Sequence, residues 1–173
     1  TPAGGSAASK PQRPDPDRKL EYHGTAMGTT VSLYFWTDDE AKAAKGFEAV
    51  MAEMKRIDMV MTTWTPDSEV SKVNTAAGDK PVVVSEETFT VIERAQDVAK
   101  RTRGIFDISV GAFKGLWKFD QDMDGTLPDP AEVKKRLAMI GYQNIVLDKT
   151  KHTVFLKKQG MSTSVGDEGG FAP

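Results

Sequence analysis

From Leu20 onward, apolar and polar positions follow two periods, and each period predicts elements. The run Thr29–Trp36, T-T-V-S-L-Y-F-W, is β-branched and aromatic and predicts a sheet strand. The H-G-T-A-M-G before it reads as a polar, glycine-containing loop leading into that strand. Asp38 or Asp39 can cap a following helix, whose apolar positions Ala43, Phe47, Val50, Met51, Met54 and Ile57 recur at helical spacing as one buried face. The methionines between Met51 and Met61 read as flexible core filler.

Residues 68–74 predict a helical turn stopped by Gly78, and residues 81–84 a short strand. Ser85 then caps a helix through Phe89, Ile92, Ala95 and Val98, which ends near Arg103 with Gly104 as its stop. Residues 104–119, G-I-F-D-I-S-V-G-A-F-K-G-L-W-K-F, fit neither period; glycines between apolar residues predict buried turns and close backbone approaches. Residues 128–140 predict a helix starting after Asp129 or with Pro130 in its first turn. Residues 142–147 and 153–156 predict a strand pair joined by D-K-T-K-H. The resulting order, β-α-β-α-loop-α-β-β, is an α+β class with a mixed or antiparallel sheet and packed helices.

Composition changes this picture mainly at the two ends. Residues 1–19 hold prolines and glycines with no large apolar residue, and read as a flexible or partly extended linker, either an artefact of expression or a tether to an anchor or signal sequence preceding position 1. Residues 20–161 form the predicted α+β domain. Residues 162–173 end in a glycine-rich acidic segment, S-V-G-D-E-G-G-F-A-P. A hydrophobic share of 39% and a charged share of 28% describe a chain able to build a core, and the net charge is -2. No basic stripe with interleaved aromatics argues for nucleic acid. No apolar run approaches the roughly 20 residues that cross a bilayer. The absence of cysteine removes disulfides, thiolate metal sites and a cysteine nucleophile.

Four segments hold candidate chemistry. Gly24 and Gly28 flank a loop whose N–H groups can face a ligand, or they make a plain turn. Trp64 lies in a hydroxyl-rich loop, where its indole can stack on a planar ligand or serve packing. Glu69, Ser71 and Asn74 beside it can bind a ligand or satisfy a local helical turn. Asp107 stands between Phe106 and Ile108, so its carboxylate needs a ligand or backbone N–H partners. Asp167 and Glu168 lie among glycines at the far end. His23 and His152 have no partner at ligand spacing, and no residue is assigned as a metal ligand.

Taken in order, Ala26 to Thr29, Met61 to Asn74 and the 104–119 segment resemble the signature blocks of the bacterial FAD:protein FMN transferases. The resemblance implies the N-terminal portion of a flavin-transferase fold, with Met27, Trp64, Ile105, Phe106, Asp107 and Asp167 contacting FAD. It also implies an activity: Mg2+-dependent transfer of the FMN moiety of FAD to a threonine hydroxyl of an acceptor protein, releasing AMP. Such enzymes are exported and often lipid-anchored, which implies a periplasmic or extracytoplasmic place. At the end the chain departs from the family pattern: Glu168 replaces an apolar residue, Pro173 stands where a lysine is expected, and the family's C-terminal half does not follow. The same ten residues also resemble the acidic glycine loop of enolase. The expectation is therefore a transferase whose catalytic residues are unassigned and which is inactive as this chain alone. The alternatives are a non-catalytic flavin- or nucleotide-binding portion and a structural domain.

Overall fold

The computed structural model describes residues 18–117 and 125–164. The chain divides into two compact units after Lys55.

The first unit is a β-hairpin with residues 40–55 of a helix whose last residues, 56–61, belong to the second. Strand β1 (Lys19–Ala26) pairs antiparallel with β2 (Thr29–Trp36), in a register running from Lys19 opposite Trp36 to Ala26 opposite Thr29. The H-G-T-A-M-G loop expected here is therefore corrected: its first four residues are strand, and only Met27 and Gly28 turn. The strand escaped the sequence pattern because its inward positions are Leu20, Tyr22, Gly24 and Ala26, two of them too small to mark an apolar face. His23 faces outward, with Nδ1 2.9 Å from the hydroxyl of its cross-strand neighbour Ser32.

Met27 and Gly28 have φ of 50° and 71°. Positive φ at both central positions marks a type I′ turn, whose twist matches the flanking strands. Glycine adopts it freely, whereas a methionine there is held in the left-handed region against its own Cβ. Helix α1 (Glu40–Met61) starts where the Asp39 carboxylate accepts the Lys42 N–H at 2.9 Å. Its stripe against the hairpin is narrower than the periodicity predicts. Ala43 is buried, Phe47 stacks on Tyr22 with centroids 5.4 Å apart, and Phe47 and Met51 lie against Gly24. Val50, expected on the buried face, is exposed.

The second unit holds the main core. Helix α2 (Glu69–Thr75), strand β3 (Val82–Val83) and helix α3 (Glu86–Arg101) come first. A 3-10 helix spans Ile108–Phe113 and is followed by helix α4 (Pro130–Leu137), N-capped by Asp129. Strands β4 (Ile145–Asp148) and β5 (Thr153–Leu156) close the unit. β5 is central, antiparallel to both β3 and β4. Residues 142–144, expected as strand, form a 3-10 turn instead, and β4 begins at Ile145. Val73, Phe89, Ile92, Val154, Leu156 and Met161 form the centre of the core beneath this sheet. The observed class is α+β with antiparallel sheets, as expected. Among the described residues no helix is long and apolar enough to cross a membrane.

Met27→Asn places a residue that tolerates left-handed backbone ahead of Gly28 and creates the Asn-Gly pair that type I′ hairpins favour. The variant is expected to raise stability by about 0.5–1 kcal/mol, read as a higher urea midpoint. An unchanged or lower midpoint would count against strain at Met27.

Candidate functional site

The polar groups of the second unit's signature segments are bonded mostly to one another. Ser68 N-caps α2 by accepting the Ser71 N–H at 3.0 Å, and its hydroxyl donates to the Thr62 carbonyl. Ser71 donates to the same carbonyl at 3.3 Å. These bonds fix the 62–64 turn, in which the Trp64 N–H also reaches the Thr62 hydroxyl at 3.2 Å. The Glu69 carboxylate accepts the Ser85 N–H at 3.0 Å and the Ser85 hydroxyl at 2.8 Å. Ser85 itself caps α3 through the Thr88 N–H at 3.2 Å, so one carboxylate joins the starts of two helices.

Asn74 makes the longest connection. Its Nδ2 donates to the Thr163 carbonyl at 3.0 Å, and its Oδ1 accepts the Thr163 N–H at 2.8 Å and hydroxyl at 3.1 Å. Residues 162–164 are thereby laid across the 3-10 helix, where the Ser164 N–H reaches the Ile108 carbonyl at 3.0 Å. Gly111 makes that approach possible. A Cβ at this position would come within 2.7 Å of the Ser162 oxygen and the Thr163 carbonyl carbon, closer than any real side-chain contact.

Asp107 N-caps the 3-10 helix. Oδ1 accepts the Ser109 N–H at 2.8 Å and hydroxyl at 2.6 Å, and Oδ2 accepts the Tyr142 N–H at 2.7 Å. The Ser109 oxygen in turn accepts the Gly141 N–H at 2.8 Å. Of the two kinds of partner the sequence left open, the protein supplies backbone N–H groups. Just before this cap the chain presents Ile105, 92% exposed, and Phe106, 44% exposed.

Trp64 presents an indole that is 65% exposed, an unusual state for so large an apolar surface. The Lys114 ammonium lies 3.8 Å from the ring centroid and 2.6 Å from the Thr63 hydroxyl. At an exposed position such a cation–π contact contributes about 0.5–1 kcal/mol. Behind it, Arg136 donates to the carbonyls of Ala112 at 3.1 Å and Lys114 at 2.8 Å. Arg136 is steadied by Glu132 at 3.0 Å, and that hydrogen bond holds the Glu132 carboxyl below its ordinary value. The sequence reading missed Lys114 and Arg136. No local signal joins a lysine to a tryptophan 50 positions away.

Trp64, Ile105, Phe106 and Asp107 thus belong to the second unit, with Trp64 joined to the end of the 3-10 helix through Lys114. Met27 lies in the hairpin turn of the first unit, and Asp167 lies outside the described residues. Among the described residues no three His, Asp or Glu side chains converge as a cation site.

Comparison with known proteins supplies the family. The ApbE family pattern matches residues 27–172, through the terminal acidic glycine segment. The chain belongs to the ApbE family. It is 31% identical over 150 residues to a FAD:protein FMN transferase of Klebsiella pneumoniae strain 342, covering 87% of this chain and 46% of that protein. It is 32% identical over 139 residues to the FAD:protein FMN transferase of Chlamydia muridarum, covering 80% and 41%. The ApbE crystal structure from Thermotoga maritima superposes with a TM-score of 0.73 at 27% identity, over 85% of this chain and 47% of that one. The flavin transferase ApbE from Vibrio cholerae shares the fold, with a TM-score of 0.70 at 23% identity over 86% and 48%. The chain thus spans about half the length of the ApbE relatives it matches.

Asn74→Ala removes three hydrogen bonds and leaves buried Thr163 groups unpaired, for an expected loss of about 2–3 kcal/mol in urea denaturation. Gly111→Ala should cost a comparable amount by pushing residues 162–164 off the 3-10 helix. Wild-type midpoints in both variants would show that this seat contributes nothing to the fold.

Proposed function

We propose that this chain provides a flavin-binding part of an FMN transferase. The reading is supported most by one observation: the family match covers blocks whose polar residues build a scaffold around an exposed indole and cation, Trp64 and Lys114. Ile105 and Phe106 add exposed apolar surface on the same segment as Lys114. In this proposal Trp64, Ile105 and Phe106 contact FAD. Asp107 acts from behind, by fixing the backbone that presents Ile105 and Phe106.

The reaction proposed is attack by a threonine hydroxyl of an acceptor protein on the FMN-side phosphorus of FAD. The pyrophosphate P–O bond breaks, AMP leaves, and the hydroxyl proton is lost. Mg2+ belongs to the proposal as the charge-neutralising ion of such a transfer. The described residues offer no converging ligand set for it. An extracytoplasmic, lipid-anchored setting is likewise proposed, supported by the Pro/Gly-rich composition of residues 1–19.

One observation favours a binding role over a chemical one for the described part. Ser68, Glu69, Asn74, Asp107 and Ser109 are all engaged in scaffold bonds. Flavin binding without group transfer is the second reading it supports.

Titration with FAD should quench indole fluorescence saturably, and Trp64→Ala should both remove most of that signal and weaken binding about tenfold. Incubation of this polypeptide with FAD, Mg2+ and an acceptor domain should leave the acceptor's intact mass unchanged. No saturable quenching contradicts the flavin reading, and an FMN-sized mass gain contradicts the assignment of a binding role alone.

A further inference from the structure

We propose that Lys114 determines ligand specificity at the Trp64 platform, selecting planar molecules that bear a phosphate over uncharged ones. The inference rests on the flavin reading above and deepens it: the preferred ligands are flavin phosphates, and riboflavin is discriminated against.

Three features of the structure support this. The ammonium is placed over the ring at 3.8 Å, so anything that stacks on Trp64 arrives next to a positive charge. The Thr63 hydroxyl accepts from the same nitrogen at 2.6 Å and adds a second polar group of the kind that donates to phosphate oxygens. The root of the lysine is anchored while its tip lies at the surface. Its N–H donates to the Gly111 carbonyl at 3.0 Å, and its own carbonyl accepts from Arg136 at 2.8 Å. A fixed root with a surface tip lets the ammonium leave the indole face without disturbing the 3-10 helix.

The exchange on binding follows from relative strengths. A cation–π contact at an exposed ring is weak, whereas a hydrogen bond between an ammonium and a phosphate oxygen is charge-assisted. A ring that stacks on the indole replaces the cation's contact with the ring. If the ligand carries a phosphate, the displaced ammonium gains a charge-assisted partner. If the ligand is uncharged, the ammonium gives up its contact with the indole and gains no charge-assisted partner in exchange. Lys114 therefore favours phosphorylated ligands and opposes neutral ones of the same shape.

Equilibrium dialysis of riboflavin, FMN and FAD against the full chain, Lys114→Gln and Lys114→Arg tests this. Lys114→Gln is expected to weaken FMN and FAD about tenfold and to leave riboflavin equal or about two- to fivefold tighter. Lys114→Arg, which keeps the charge, should restore FAD to within about threefold of the original. The preference of the unaltered chain for FAD over riboflavin should shrink as salt is raised. Equal weakening of riboflavin and FAD in Lys114→Gln overturns the inference, because the lysine would then only shape the indole surface. Unchanged FAD binding in that variant overturns it too. If the unaltered chain binds none of the three flavins, the flavin reading itself fails and this inference falls with it.

Discussion

Three hydrogen bonds between the Asn74 side chain and Thr163 join positions 89 residues apart, and much of the second unit's arrangement depends on them. An asparagine amide can both donate and accept, so it matches a strand-like backbone residue on both polar groups, much as a neighbouring strand would. Here it lies at the end of a short helix and faces a segment outside the sheet. Gly111 completes the seat by removing the side chain that would hold residues 162–164 away from the 3-10 helix. The two devices are complementary: one supplies attraction, the other space.

The rest of the candidate site is fixed by further bonds of its own. Ser68 and Ser71 secure the turn before α2, Glu69 joins α2 to the start of α3, and Asp107 with Ser109 secures the backbone at 141–142. Many polar residues of the family blocks thus set backbone positions, and the groups presented at the surface include Trp64, Ile105, Phe106 and Lys114. Such a division is physically economical. A partly buried hydrogen-bonded scaffold restricts the turns that present the surface groups, and this lowers the entropy lost when a ligand orders them.

How much of this was legible in the sequence depends on the range of the interaction concerned. Caps are local, and Asp39, Ser85 and Asp129 were readable because their partners lie two or three residues on. The helices and the β4–β5 pair followed from apolar spacing. Strand β1 was hidden by Gly24 and Ala26 at inward positions, and the 3-10 helix by a period that matches neither strand nor α-helix. The burial cost of Asp107 was readable as a demand for partners, but Tyr142 as the donor was not, being 35 positions away. Asn74 with Thr163 and Trp64 with Lys114 were beyond any local pattern. The family resemblance located these segments without saying which residues build and which present.

The central claim is that residues 162–164 are fixed on the 3-10 helix by Asn74 and Gly111. Native-state amide hydrogen exchange tests it most directly, because the Thr163 and Ser164 N–H groups donate to Asn74 Oδ1 and to the Ile108 carbonyl. The account predicts that both amides are protected to a degree approaching the core amides of α3, and that Asn74→Ala lowers their protection selectively. Exchange of both amides at unprotected rates in the unaltered chain, while α3 stays protected, would contradict it.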